Sequence, residues 1–162
     1  MTIRDARPED WGAIWPFFRE IVAAGETYAY DPEMTESEGR RIWMVGPPAR
    51  TVVATGSEGE ILGTASMYAN RPGPGAHVAS ASFMVDPRHG RRGVGRALGE
   101  HMIEWAGQRG FRAIQFNAVV ETNAPAVALW RSLGFEVVGT VPEAFAHPRH
   151  GYVGLLIMHR FL

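Results

Sequence analysis

The 162-residue chain contains no cysteine and no lysine; its 16 strongly basic side chains are all arginine. The first absence excludes disulfide scaffolds, zinc–thiolate sites and thiol nucleophiles. The second excludes the phosphate loop built on Gly-Lys-Ser/Thr. No apolar run approaches the length of a membrane span, so no membrane partner is expected. The opening residues, Met1-Thr2-Ile3-Arg4-Asp5-Ala6-Arg7, carry no apolar signal core, and a cytoplasmic location is the expectation. A net charge of −1 argues against a nucleic-acid binder, which needs a large positive surface. There is no internal repeat, low-complexity tract or linker, so residues 1–162 are expected to form one domain.

What is present centres on Val85-Asp86-Pro87-Arg88-His89-Gly90-Arg91-Arg92-Gly93-Val94-Gly95-Arg96. An apolar strand pattern, Ala76 to Val85, ends at Pro87, which has no N–H for a strand ladder. Helical spacing begins straight afterwards, with Val94, Leu98, Met102 and Trp105 on one face. A strand, a Gly/Arg turn and a helix N-terminus together form an anion cradle: glycines let backbone N–H groups converge, and arginines add forked donors suited to phosphate. The dinucleotide fingerprint fits poorly, because Gly93 and Gly95 are followed by Gly99, one position late.

Around this stretch the chain reads as alternating strands and helices. Thr2 to Ala6 is a strand, and Trp11, Ile14, Phe17, Phe18 and Ile21 form a helical core stripe that Pro16 should kink or split. Thr35 and Glu38 stand in capping-box spacing before a second helix that Trp43 packs down. Thr51–Thr55 and Glu60–Tyr68 are expected to form a hairpin across Gly56-Ser57-Glu58-Gly59. Phe111–Val120 reads as a strand, Asn123–Leu133 as a helix stopped by Gly134, and Phe135–Val141 and Tyr152–Phe161 as closing strands. His147 and His150 have His-x-x-His spacing without a helix or third ligand, so no metal is expected.

The Val-x-Pro…Gly-x-Gly turn resembles the acyl-CoA pyrophosphate loop of the GCN5-related N-acetyltransferases (GNAT). Asn123-Ala124-Pro125-Ala126 through Trp130-Arg131-Ser132-Leu133-Gly134-Phe135 resembles the second signature of that family. The resemblance implies an α/β fold, with a central mixed, mostly antiparallel twisted sheet of six to seven strands flanked by about four helices. It implies acetyl-CoA as co-substrate, a small-molecule amine or amino-acid acceptor, and a homodimer. It assigns the coenzyme to Met84, Val85, Gly90, Arg91, Arg92, Gly93, Val94, Gly95 and Arg96, joined by Asn123, Ala126 and Trp130. The family usually carries Arg or Gln where Gly90 stands, and many members carry a Tyr at Trp130, whose hydroxyl can protonate the leaving thiolate; an indole N–H cannot.

Phe116-Asn117-Ala118-Val119-Val120-Glu121-Thr122-Asn123 resembles a subgroup that includes fungal acetyltransferases of proline analogues such as azetidine-2-carboxylate. That likeness places the acceptor at Asn117 and, in Tyr-x-Asn-x-Pro-Gly, at Asn70, and places Asn123 at the thioester carbonyl or pantetheine. Asn123 also suits a helix N-cap, and the two roles are compatible. Asn117 in mid-strand is disfavoured structurally, which favours function. In this family the segment between the first two helices often lines the acceptor pocket, which makes Glu26, Tyr28 and Tyr30 candidates, although an exposed loop with aromatic anchors explains them equally. Glu121, His77, His150 and Glu26 are the candidates for a general base, and none stands out. The rivals to a small-molecule acetyltransferase are a protein-directed acetyltransferase and a non-catalytic acyl-CoA sensor.

Overall fold

A computed structural model describes residues 1–162 and consists of one seven-stranded sheet with helices on both faces. The elements are β1 (Thr2–Asp5), α1 (Trp11–Ala24), α2 (Glu36–Trp43), β2 (Arg50–Thr55), β3 (Ile61–Ala69), β4 (Val78–Val85), α3 (Val94–Gln108), β5 (Ala113–Val120), α4 (Ala124–Ser132), β6 (Glu136–His147) and β7 (Gly151–Phe161). The strand order is β1-β2-β3-β4-β5-β7-β6, and only the β4–β5 pair is parallel. This is the mixed, mostly antiparallel architecture that the two signatures imply.

Alternation along the strands divides the core between the two faces. Val52 and Ala54 of β2 join the cluster under α3 and α4, while Val53 points to the cluster under α1 and α2. The helical face expected on α3 is buried at all four positions, Val94, Leu98, Met102 and Trp105. Each such side chain contributes roughly 1.5–3 kcal/mol on burial. Thr35 caps α2 as its spacing predicts: its hydroxyl accepts the Glu38 N–H at 3.3 Å, and Glu38 accepts the Thr35 N–H at 2.9 Å.

Two expectations are corrected. Helix α1 is not split at Pro16 but continues through it. Proline removes a single backbone bond there, and burial of Trp11, Ile14, Phe17, Phe18 and Val22 outweighs that loss. Strand β6 continues past Val141 to His147. Pro142 has no ladder donor and Glu143 takes a left-handed φ of 52°, so the register slips between Val141 and Phe145 before pairing resumes. The resulting long β6–β7 hairpin carries Arg149 and His150 at its turn and adds Phe145 to the sheet.

Candidate active site

Strands β4 and β5 pair only at Val78/Ala113 and Ala79/Ile114, then part. The opening between them is a cleft of about 450 Å³. Which backbone groups face it follows from the antiparallel ladder with β3. Asp86 donates its N–H to Leu62, and Asn70 donates to Val78, so even-numbered residues of β4 bond toward β3. Met84, opposite Thr64, therefore turns its backbone away from the cleft; Phe83 and Val85 turn theirs into it. Phe83 is already occupied. The Tyr28 hydroxyl accepts the Phe83 N–H at 2.9 Å and donates to the Phe83 carbonyl at 2.6 Å. Tyr28 thus stands in for a neighbouring strand at one residue, and Val85 is left as the free edge beside the Gly/Arg loop. Burial pushes the Tyr28 hydroxyl far above its ordinary value, so it stays protonated.

The loop after β4 is held by its own side chains. Asp86, 1% exposed, accepts from the Arg88 backbone at 2.9 Å and from its guanidinium at 2.6 Å. Burial alone would raise the Asp86 carboxyl; the Arg88 bonds outweigh it and hold it below the ordinary carboxylate range. Arg88 is thereby consumed, as is the Gly90 N–H, which donates to Pro87 at 3.3 Å. Beyond Gly90 the chain makes left-handed turns at Arg91 (φ 61°) and Gly93 (φ 78°) and enters α3 without a side-chain cap. No backbone N–H from Arg91 to Arg96 finds an acceptor within the protein; pairing resumes only at Ala97, which bonds to Gly93. Six successive free donors at a helix N-terminus, with the unpaired Arg91 and Arg92 beside them, form a cradle for a polyanion. Arg96 turns away to Ser132 at 2.7 Å and Glu100 at 3.5 Å.

The far wall comes from β5 and α4. Between Phe116 and Val119 the β5–β7 register slips, which frees Asn117 from the ladder. Its side chain donates to Asn70 at 2.6 Å and accepts from Gln115 at 2.9 Å. The three amides form one chain, although Asn70 lies 47 residues before Asn117. Asn123 caps α4 by accepting the Ala126 N–H at 3.3 Å, and both residues line the cleft. Trp130 packs at 4.7 Å from Phe83 and 4.8 Å from Phe116, ring centre to ring centre, as part of the cleft floor.

A strand that parts from its neighbour beside a row of free amides matches a known pattern. The sequence fits the acetyltransferase (GNAT) family over residues 15–135. The chain belongs to the GNAT acetyltransferases. It is 29% identical over 156 residues to N-acetyltransferase aca1 of Schizosaccharomyces pombe, covering 87% of this chain and 75% of that protein. It is 31% identical over 149 residues to the L-methionine sulfoximine/L-methionine sulfone acetyltransferase of Pseudomonas aeruginosa, covering 88% and 84% of the two chains. A GCN5-related N-acetyltransferase structure from Kribbella flavida superposes with TM-score 0.97 at 67% identity, over 99% of this chain and 97% of that one. A phosphinothricin acetyltransferase from Sinorhizobium meliloti, solved with acetyl-CoA, superposes with TM-score 0.88 at 27% identity, over 99% and 88%.

Within this GNAT frame, several candidates stand apart from the cleft. Glu26 reaches across to the β6–β7 turn and pairs with Arg149 at 2.7 Å. Glu121 accepts the Gly154 N–H at 2.5 Å. His150 packs against His147 in a tilted pair, ring centres 4.5 Å apart, and His147 Nδ1 accepts the Arg149 N–H at 3.1 Å. His77 lies before β4, at the end opposite the Gly/Arg loop. Tyr28 and Tyr30 line the cleft as their segment suggested; sequence reasoning missed the cleft residues Tyr68, Ser80 and Ser82. Their only sequence signal is alternation: Ser80 and Ser82 share one face of β4, and serine on an otherwise apolar strand marks a polar surface.

Proposed function

We propose that this enzyme transfers the acetyl group of acetyl-CoA to the amine of a small amino acid or amino-acid analogue. The observation that carries this reading is the run of unpaired N–H groups from Arg91 to Arg96, next to the free edge of β4. Those amides, with Arg91 and Arg92, have the donor chemistry to hold a diphosphate. Val85 has a backbone donor and acceptor free for an extended amide-bearing arm. The coenzyme supplies an activated acetyl thioester. Asn123 lines the same cleft and offers a neutral amide donor for a carbonyl oxygen. Asn117 and Asn70 offer neutral amides for an acceptor carboxylate, which suits relatives named for amino-acid derivatives. Trp130 provides an apolar floor and no acid. Residues 1–162 are read as one N-acetyltransferase domain, homodimeric by family resemblance.

Calorimetry with CoA and a thiol-release assay test this reading together. The wild type is expected to bind CoA and to release thiol with amino-acid acceptors. Arg91→Ala/Arg92→Ala is expected to weaken CoA about tenfold or more, with the deficit shrinking at high salt. Turnover confined to peptides would favour a protein-directed enzyme. Firm CoA binding without turnover on any amine would favour an acyl-CoA sensor.

A further inference from the structure

The cleft is lined by 22 residues, and none is acidic, basic or a histidine. The α1–α2 loop faces it with Tyr28 and Tyr30, β3 with Tyr68, and β4 with Ser80 and Ser82. Strand β5 contributes Asn117, α4 contributes Trp130, and the β6–β7 hairpin contributes only Phe145 and Leu155. The Tyr68 and Ser82 hydroxyls lie 3.3 Å apart. Every carboxylate or imidazole that sequence reasoning offered as a base points elsewhere. Glu26 is paired with Arg149, Glu121 holds Gly154, His150 packs against His147, and His77 lies beyond the far end of β4. Burial pushes Tyr28 and Tyr30 upward, so both remain hydrogen-bond donors over the neutral range and take up no proton.

We infer that the enzyme has no side-chain base for the acceptor, which must reach the thioester already as the free amine. The inference rests on the reading of this cleft as the acceptor site. Its consequence is a substrate class: zwitterionic amino acids of weakened basicity, whose carboxylate the Asn70–Asn117 amides receive and whose nitrogen loses its proton to water beforehand. The neutral nitrogen then bonds to the thioester carbon, and the carbon–sulfur bond breaks with its electron pair passing to sulfur. The proton left on nitrogen passes to solvent or to the departing thiolate, leaving an amide and CoA. An ammonium of pKa near 10 leaves about one molecule in a thousand free at pH 7, and one near 8 leaves about one in ten. A neutral hydroxyl wall thus discriminates among amines about a hundredfold without touching them differently.

The test is kcat/KM measured from about pH 6 to about pH 10 for acceptors whose amine pKa values span about two units. Each profile is expected to rise to a plateau with its midpoint at the amine pKa of that acceptor. Glu26→Gln and Glu121→Gln are expected to leave every midpoint in place. One midpoint shared by all acceptors, or one that either variant abolishes, reveals an enzyme base and overturns the inference while leaving acetyl transfer intact. Failure to acetylate any amine, with CoA bound, overturns both this inference and the acetyltransferase reading beneath it.

Discussion

Asn117 is polar where a strand residue would ordinarily pack, and its two bonds explain how it is kept there. Gln115 donates to its oxygen, so its NH₂ is directed at Asn70, and one orientation of the whole amide chain is selected. A carboxylate arriving at this chain meets donors whose direction is already set. Asn117→Ala removes one such donor and leaves the Gly/Arg loop untouched. The acceptor KM is expected to rise about tenfold or more, the scale of a hydrogen bond to a charged group. The CoA dissociation constant is expected to stay within about twofold in calorimetry. Equal losses in both measurements would show that Asn117 shapes the coenzyme side instead. Gly93 shows the same economy in the backbone: its left-handed φ of 78° turns the chain into α3 where a side chain would be strained.

The contact between α3 and α4 decides where the cleft floor lies. A Cβ placed on Gly99 would meet Leu133 Cδ1 at 2.7 Å and Trp130 Cζ3 at 3.0 Å. The third glycine, which spoils the dinucleotide spacing, therefore has a packing reason of its own: it lets α4 approach α3. Gly99→Ala is expected to destabilise the fold by about 1–3 kcal/mol through overpacking. That corresponds to a loss of roughly 2–10 °C in melting temperature for a chain of this size. The displaced Trp130 indole also lines the cleft, so turnover is expected to fall with stability, which intrinsic tryptophan fluorescence and the thiol-release assay read on the same sample. A melting temperature equal to wild type would mean that the two helices part without cost. Tyr28 acts between elements in another way. Its ring sits in the aromatic cluster of α1 and α2, 6.2 Å from Trp43, while its hydroxyl closes the β4 edge. The loop after α1 is thereby tied to the strand that frames the cleft.

At the scale of the molecule, the sheet edge and the first helix are joined by one buried carboxylate. Asp10 accepts from Arg4 at 2.7 and 2.9 Å and from the Arg7 N–H at 2.6 Å. The Arg4 hydrogen bonds, opposed by burial and assisted by Arg7, hold its carboxyl below the ordinary value. A depressed folded-state value contributes stability above the unfolded value, about 3.9, and that contribution is lost as pH falls through the lower folded value. Asp10→Asn is therefore expected to cost about 1–3 kcal/mol at pH 7, read as a lower midpoint in denaturant unfolding. The gap to wild type is expected to close as pH drops below about 4. A gap that persists unchanged at pH 3 would trace the loss to packing instead of charge.

Much of this protein was legible from local order alone. The strand–turn–helix around Gly93, the cap at Thr35, the stripe on α3 and the cap at Asn123 are each decided by residues within one or two turns of each other. Such features depend on short-range sterics and periodicity, which the linear chain carries directly. The sequence likewise identified the loop that is left with unpaired amides. It did not reveal that Met84 faces β3 while Phe83 and Val85 face the cleft, because that depends on strand register. It did not join Tyr28 to Phe83, Asn70 to Asn117 or Glu26 to Arg149, because nothing local links positions so far apart. It also left four residues as candidate bases, and only the packed sheet directed Glu26, Glu121, His77 and His150 away from the cleft. Composition and pattern chose the strands, the helices and the Gly/Arg loop, since each is decided over a short range. Which polar groups meet in the cleft was settled by tertiary packing, where the parting of two parallel strands opens space that no periodicity encodes.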